Sequence, residues 1–328
     1  MHGWIILDKP LGLGSTQAVS AVKRALRQGG YGKVKVGHGG TLDPLATGVL
    51  PVALGEATKL AGRMLDASKI YDFTIGFGTQ TDTLDAEGQV VATSDVRPTR
   101  ADIDAVLQLF TGPISQMPPA FSALKVDGKR AYDLARAGED VVLQPRDVTI
   151  HALEIASSPV RGGGPAEPVE GLARTSRQPF HHPLGGPPPR TGEELAEITL
   201  TAHVSKGTYI RSLARDIALA LETVGHVTML RRTKAGPFTL TQAISLDKLA
   251  EHSMHRALED ITLPLTAGLD DIPALPVTPD QARLLRQGQV LIGIAAHQGL
   301  HLATEAETPV ALVEVSGPEI RVVRGFNL

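Results

Sequence analysis

The segment from Val36 to Pro51 constrains this chain most, because it places four glycines and two prolines between hydrophobic runs. Glycine allows backbone conformations and close approaches that a Cβ atom would forbid. Asp43 is the one carboxylate of the segment and the only acid between Asp8 and Glu56. Two interpretations follow. Asp43 could be a reactive carboxylate held charged against a ligand, or it could cap a helix that begins with Pro44.

Length and composition describe an ordinary globular protein with room for one large and one small domain. The chain has 328 residues, of which 42% are hydrophobic and 20% are charged. The N-terminus lacks the basic region and the long apolar stretch of a signal peptide, and no apolar run approaches membrane-spanning length. We therefore expect a cytoplasmic protein.

The chain contains no cysteine, which excludes disulfides, thiolate metal sites and a cysteine nucleophile. One pair of adjacent histidines, His181-His182, lies in a segment rich in proline and glycine, with no acid at the spacing of a metal ligand. No metal site is expected there.

Positive charge is concentrated in two segments, although the formal net charge is −3. Residues 1–40 contain six lysines and arginines against one acid, and residues 206–234 contain six against two acids. Residues 247–328 carry eleven acids against six bases. The two basic segments could form one positive face for a polyanion, or they could be ordinary solvated helix faces.

Hydrophobic periodicity predicts both strands and helices. The predicted strands are Trp4–Leu7, Lys69–Phe77, Phe121–Val126, Val148–Ile155, Glu197–Val204 and His226–Leu230. The predicted helices follow Ser15, Thr99 and Thr208 and span Pro279–Arg286, with Gly225 ending the third. Residues 157–195 are interpreted as a flexible Gly/Pro-rich insertion. We expect a large domain over 1–250 and a small one over 263–328.

A carboxylate on a glycine-rich loop, a tyrosine on a strand and an arginine at a helix N-terminus make a workable catalytic set. The candidates are Asp43, Tyr71 and Arg211. Carboxylates act as nucleophiles at sugar anomeric carbons without a cofactor, and a neighbouring arginine would keep the acid ionised. The tyrosine ring could stack on a base turned out of its helix while the basic segments hold phosphates. The alternatives are a helix cap, a core tyrosine and a surface arginine.

Several stretches in one order resemble bacterial tRNA pseudouridine-55 synthases of the TruB type, over most of residues 3–245. The resemblance identifies the segment around Asp43 as the catalytic motif. The other matching stretches are Asp8-Lys9-Pro10 with Gly12 and Ser15, Lys69-Ile70-Tyr71, Thr81-Asp82-Thr83 with Asp85 and Gly88, Ser122-Ala123-Leu124-Lys125 with Gly128, Tyr132 and Arg136, Lys206-Gly207-Thr208-Tyr209-Ile210-Arg211, and Leu230-Arg231-Arg232.

The resemblance implies an α+β pseudouridine synthase fold, with a mixed, largely antiparallel sheet flanked by helices and a small β-rich, PUA-like RNA-binding domain at the C-terminus. The implied reaction is isomerisation of uridine 55 in the T-arm of tRNA. Asp43 would be the nucleophilic or catalytic acid residue, which either attacks the sugar or removes a sugar proton. Tyr71 would stack on the flipped base and help to remove the C5 proton, and Arg211 would pair with the aspartate and keep it charged. No metal and no cofactor are implied. The partner would be tRNA, with no obligate protein partner and a monomeric enzyme.

Further residues are assigned to RNA binding or base flipping with less specific support. His38 is expected to help open the T-loop by stacking. Lys9, Lys125 and Arg136 are expected to contact the RNA backbone or to support loops. Arg231 and Arg232 belong to the closing motif of the family and are assigned to RNA binding.

The sequence departs from the family pattern at Gly14 and Gly39, where the family more often has threonine; both are loop positions. A T-loop uridine methyltransferase that adds a thiol to the pyrimidine would need a cysteine and is excluded. A nucleoside hydrolase would need a general acid and a positioned water, and neither is identifiable. A tRNA folding chaperone fits the basic segments and stays open, as an alternative or as a second activity.

Overall fold

The computed structural model describes residues 1–122, 124–126, 128–138, 142–156 and 192–328. Its strands are β1 (Gly3–Lys9), β2 (Val36–His38), β3 (Ala46–Leu54), β4 (Lys69–Phe77), β5 (Thr79–Thr81), β6 (Val90–Thr93), β7 (Gly112–Gln116), β8 (Lys125–Val126), β9 (Lys129–Arg130), β10 (Arg146–Ile155), β11 (Glu197–Val204), β12 (Gly225–Ala235), β13 (Phe238–Thr239), β14 (Ala274–Pro276), β15 (Leu291–Ile292), β16 (Gly299–Glu305), β17 (Thr308–Ser316) and β18 (Glu319–Gly325).

Its α-helices are α1 (Ser15–Gln28), α2 (Ala61–Asp66), α3 (Arg100–Leu107), α4 (Ala131–Arg136), α5 (Ile210–Ala220), α6 (Leu246–Met254) and α7 (Pro279–Arg286). Short 3₁₀ helices span Gly55–Leu60, Gln108–Phe110, Leu240–Gln242, Leu258–Ile261 and Leu265–Gly268. Except at 192–195, the predicted insertion over 157–195 lies outside the described residues, and the pair His181-His182 lies outside them as well.

Within the described ranges, nine strands form the large sheet. Seven of them follow the order β1-β3-β12-β4-β11-β10-β7, while β2 pairs with β3 and β13 pairs with β12. Neighbouring strands are antiparallel, apart from the parallel pair β3 and β12. This confirms the expected mixed, largely antiparallel sheet.

Two groups of helices pack on this sheet and leave a boundary between them. Helices α3 and α5 bury the apolar side chains of β4, β11 and β12. Helices α1 and α6 bury those of β1 and β3. Tyr71 and Leu230 contact both clusters, so the boundary runs over β4 and β12. Tyr71, one of the predicted catalytic residues, therefore lies at this boundary.

The C-terminal sheet packs on the opposite face of β1. Because side chains alternate along a strand, Ile5 and Leu7 face α1 while Trp4 and Ile6 face a third cluster that includes Phe326. Trp4 is fully buried, and its Nε1 donates to the carbonyl of the 3₁₀ helix at 265, 3.1 Å away. The C-terminal unit is rich in β-strands, as predicted, and its five strands follow the order β14-β16-β17-β18-β15. The domain boundaries 1–250 and 263–328 stay predictions.

Among the described residues, every helix is too short or too polar to cross a membrane.

Four local predictions need correction. Arg231 and Arg232 do not follow a strand but lie within β12, because their backbones pair with β3 on one side and β4 on the other. Helix α5 ends at Ala220, and Gly225 begins β12 instead of ending the helix. The N-cap of α5 is Tyr209.

The other two corrections concern the cap of α5 and one predicted strand. Thr208 does not cap α5, since its hydroxyl donates to the carbonyl of Ser205 at 3.0 Å. Of the predicted strand Phe121–Val126, only Lys125–Val126 is strand in the described part of the chain.

Gly48 provides a test of the parallel pairing between strands β3 and β12, where it lies opposite Arg232. It has a φ of +99°, and a Cβ atom there would lie 2.2 Å from the carbonyl oxygen of Arg232. We expect Gly48→Ala to lower the free energy of unfolding by about 1–3 kcal/mol or more, measured by urea denaturation. Gly62 in α2, with no atom within 4 Å of a Cβ, is the control. Gly62→Ala should leave stability unchanged or raise it by up to about 1 kcal/mol. Equal effects of the two substitutions would contradict this account of β3 and β12.

Candidate active site

A cavity of about 310 Å³ opens at the boundary between the two helical groups. Asp43, Tyr71 and Arg211 all line it, so the structure brings together the three residues of the predicted catalytic set. The other lining residues are Gly40, Thr41, Leu42, Ala46, Leu65, Lys69, Ser122, Val204, Ser205, Gly207, Thr208, Tyr209, Ile210, Leu230 and Arg232. Among these described lining residues, Asp43 is the only acid.

Asp43 lies in a turn and does not cap a helix. Its carbonyl accepts a hydrogen bond from the amide of Ala46 at 3.0 Å, which closes a β-turn with Pro44 at the second position. Strand β3 begins directly afterwards, so the helix-cap interpretation is wrong. The side chain is 45% exposed, and its Oδ2 lies 2.9 Å from Nη2 of Arg211. The turn therefore presents a carboxylate to the cavity with one oxygen held.

Arg211 is fixed on every side. Its side chain is only 9% exposed, and Nη1 and Nη2 donate to the carbonyls of Thr83 and Phe121 at 2.9 Å each. Asp85 adds a second carboxylate, with Oδ2 3.4 Å from Nη1. A cation in the first turn of α5 is disfavoured by the helix dipole, and these acceptors with Asp43 offset that cost. The guanidinium can thus position Asp43 without itself moving.

The backbone of the Asp43 loop is held from below by buried side chains. The Ser15 hydroxyl donates to the carbonyl of Leu42 at 2.9 Å and accepts from the amide of the same residue at 2.8 Å. Arg232 is almost completely buried, and its Nη1 and Nη2 donate to the carbonyls of Thr41 and Gly40 at 3.2 and 3.3 Å. Arg232 therefore supports the loop from beneath the cavity.

Lys9 also supports the loop that carries Asp43. It is fully buried, and its Nζ donates to the carbonyls of Leu13, Pro10 and Pro44 at 2.6, 3.0 and 3.2 Å. Burial lowers the pKa of Lys9 from 10.5 to about 8, and the negative charge of Asp43 partly opposes the shift. Of the two roles considered from sequence, RNA contact and loop support, this position favours loop support.

His38 and Arg231 lie outside the residues that line the cavity. His38 is half-buried at the end of β2, and its Nδ1 accepts from the amide of Gly40 at 3.4 Å. Burial and the nearby charge of Arg232 lower the pKa of His38. Arg231 forms a two-pronged ion pair with Asp8, with N–O distances of 3.0 and 2.8 Å. Both side chains are thus engaged within the protein.

Arg136 and Lys125 lie on the segment after the cavity residue Ser122. Arg136 is exposed at the end of α4, and its guanidinium carbon lies 4.8 Å from the centre of the Tyr132 ring. Lys125 belongs to β8, and its side chain lies outside the described part of the chain. Neither Arg136 nor Lys125 is among the described residues that line the cavity.

Three polar residues of the site had no role assigned from sequence, although each belongs to a stretch that matches the family. Asp85 contacts Arg211, and Tyr209 lines the cavity with a pKa raised by burial. Lys69 donates to the carbonyls of Leu65 and Ala67 at 2.6 Å each, and burial lowers its pKa to about 8. No group of three histidine, aspartate or glutamate side chains in the described ranges could hold a metal ion.

The buried amine of Lys9 predicts a pH dependence of stability. Between pH 8 and 10.5 the unfolded chain binds more protons at this residue than the folded protein. Stability contributed through Lys9 therefore rises with pH across this window. We expect the difference in free energy of unfolding, wild type minus Lys9→Met, to grow from pH 8 to pH 10.5 in urea titrations. A flat or falling difference would contradict a buried, carbonyl-bound amine.

Two family models match this chain, and both describe pseudouridylate synthases. Residues 24–161 match the family model described as TruB family pseudouridylate synthase, N-terminal domain. Residues 211–270 match the model described as tRNA pseudouridylate synthase B C-terminal domain. Together the two matches include Asp43, Tyr71 and Arg211.

Individual proteins agree with the family models. The tRNA pseudouridine synthase B of Novosphingobium aromaticivorans is 61% identical, over 100% of this chain and 98% of that protein. The protein of the same name from Zymomonas mobilis is 57% identical, over 100% and 96%.

Solved structures extend the likeness to the fold. An H/ACA RNP bound to a substrate RNA containing 2'-deoxyuridine contains a chain with a TM-score of 0.66 at 22% identity, covering 99% of this chain and 85% of that one. A chain of an archaeal box H/ACA sRNP Nop10-Cbf5 complex gives the same TM-score and identity, covering 99% and 86%. At this identity they establish the fold alone. The full-length relatives and the two family models establish more: this chain belongs to the TruB family of pseudouridylate synthases.

Proposed function

We propose that this enzyme converts uridine 55 in the T-arm of tRNA to pseudouridine. Membership of the family supports the reaction class, and the names of the relatives support tRNA as the substrate. One observation carries the assignment to this site: a half-exposed Asp43 projects into a cavity and is held by a buried Arg211 at 2.9 Å. We propose that it acts in the cytoplasm, as a monomer.

The proposed chemistry is an isomerisation at the target nucleotide. The bond between N1 of uracil and C1′ of the ribose breaks, and a bond between C5 and C1′ forms. The proton on C5 is lost to solvent, and N1 takes up a proton, so that atoms balance without a cofactor. Asp43 promotes the first cleavage, either by adding its carboxylate oxygen to C1′ or by removing a sugar proton. Both routes require an ionised Asp43 close to the sugar.

We assign the other residues by their position around Asp43. Tyr71 stacks on the flipped uracil, because it lies on the cavity wall between the two apolar clusters. Arg211 holds the carboxylate in the orientation needed for attack. His38, beside the loop, stacks in the opened T-loop. Arg136, Lys125 and the C-terminal PUA-type unit are proposed RNA contacts.

The exposed basic side of α1 supports a role in phosphate binding. Lys23, Arg24 and Arg27 are all exposed on this helix. Helix α1 begins at Ser15, whose hydroxyl donates to the carbonyl of Leu42 in the loop that carries Asp43, so the helix starts beside the site. Charges at such positions increase affinity without reading sequence.

The first test of this proposal replaces the carboxylate. Asp43→Asn keeps the shape of the side chain and removes its charge and nucleophilicity. With unmodified tRNA labelled with tritium at uridine C5, we expect release of tritium to water to fall by at least about 10³-fold, while RNA affinity is kept. Asp104→Asn, at an exposed position of α3, is the matched control and should retain wild-type release. Binding by wild type without tritium release would overturn the enzyme assignment and favour a tRNA folding chaperone.

A second test addresses the arginine. Arg211→Lys retains the positive charge but loses the planar fork that contacts Asp43 and the two carbonyls. We expect the single-turnover rate at saturating tRNA to fall by about 10²-fold, because Asp43 is no longer held in place. Arg215→Lys, one turn further along α5, should have little effect on this rate. Equal rates for Arg211→Lys and wild type would show that the ion pair does not position Asp43.

A further inference from the structure

Two exposed residues of opposite charge form an ion pair across the rim of the cavity. Nζ of Lys206 lies 2.9 Å from Oδ1 of Asp66, and the two side chains are 65% and 67% exposed. Asp66 is the last residue of α2, and Lys206 lies in the turn between β11 and α5. Their chain neighbours Leu65, Ser205 and Gly207 line the cavity. The pair therefore joins two walls of the same opening.

Hydrogen bonds from a buried lysine hold the backbone around Asp66 in place. Lys69, which is buried, donates to the carbonyls of Leu65 and Ala67 on either side of Asp66. Lys206, in contrast, carries its ammonium on a flexible four-carbon stem that projects from an exposed turn. The lysine is thus the partner that can leave when another anion arrives.

Lys206 also differs from the other described cations at the cavity. Lys69 and Arg232 are bound to backbone carbonyls, and Arg211 is bound to carbonyls and Asp43. Lys206 is held by Asp66, and an ion pair between two exposed side chains contributes little free energy. A phosphodiester that enters the opening can therefore replace Asp66 at small cost.

We propose that Lys206 binds a phosphate of the RNA strand next to the target uridine, and that Asp66 competes with this phosphate for the lysine. The ion pair opens when RNA enters, and it closes again when product leaves. This inference rests on the proposed function in one respect only, that RNA is the ligand of the cavity. Asp66 then sets the affinity for RNA through Lys206 without touching the RNA.

A double-substitution cycle on RNA affinity tests the proposal. The dissociation constant of unmodified tRNA is measured over a series of salt concentrations for wild type, Lys206→Gln, Asp66→Asn and the double variant. We expect Lys206→Gln to weaken binding by roughly 5- to 10-fold near 0.1 M salt and to reduce the salt slope by about 1, since one phosphate contact is lost. We expect Asp66→Asn to tighten binding by about 2- to 5-fold.

The double variant distinguishes competition between Asp66 and the phosphate for Lys206 from direct repulsion of RNA by Asp66. If Asp66 acts through Lys206, Asp66→Asn has no effect on affinity in the Lys206→Gln background. Exposed residues that do not line the cavity serve as controls: Lys248→Gln for the lysine and Asp104→Asn, from an exposed pair with Arg100, for the aspartate. Both controls should leave affinity and salt slope at wild-type values, and melting temperatures confirm that every variant is folded.

Two outcomes would overturn the proposal. A wild-type affinity and salt slope for Lys206→Gln would remove the phosphate contact. An effect of Asp66→Asn that persists in the double variant would show that the aspartate repels RNA directly and does not compete for Lys206. Tritium release by wild type is measured in parallel. The expected pattern of affinities without tritium release would overturn the proposed reaction alone and leave the role of Lys206 supported.

Discussion

Hydrogen bonds from buried side chains to backbone carbonyls hold the loop that carries Asp43. Lys9, Ser15 and Arg232 come from β1, α1 and β12, and together they bind carbonyls on both sides of the aspartate. A buried carbonyl without a partner costs about 1–3 kcal/mol, and a buried cation without acceptors costs more. Loop and cations therefore stabilise each other. This explains how Asp43, in a segment without helix or strand, can occupy a fixed position.

The same principle acts on the other side of the cavity, where Arg211 lies in the first turn of α5. The helix dipole opposes a cation there, so local preference alone does not explain its position. Two carbonyls and the carboxylates of Asp43 and Asp85 supply the compensating interactions. Removing Arg211 would leave two carboxylates close together without a counterion. Such a conflict between local preference and tertiary structure is typical of functional sites.

Much of this arrangement is predictable from the sequence, for physical reasons. Helix α7 matches its prediction over Pro279–Arg286, because Thr278 caps it and proline suits its first turn. Strand Glu197–Val204 is also as predicted. The burial of Lys9 and Arg232 is not predictable from local patterns, since charged residues are seldom fully buried unless distant groups pair with them. Some of those groups are carbonyls of the Asp43 loop, at Pro44 for Lys9 and at Gly40 and Thr41 for Arg232, and only the folded chain brings them to these cations.

Support of the loop by Lys9 is the central claim, and single-turnover kinetics with Lys9→Met test it most directly. The rate of pseudouridine formation at saturating tRNA and the dissociation constant of tRNA are measured separately. If Lys9 holds the loop, the rate falls by roughly 10- to 100-fold because Asp43 is misplaced, while the dissociation constant and its salt slope stay at wild-type values. An unchanged rate at saturation, combined with weaker binding and a salt slope reduced by about 1, would show that Lys9 contacts an RNA phosphate instead.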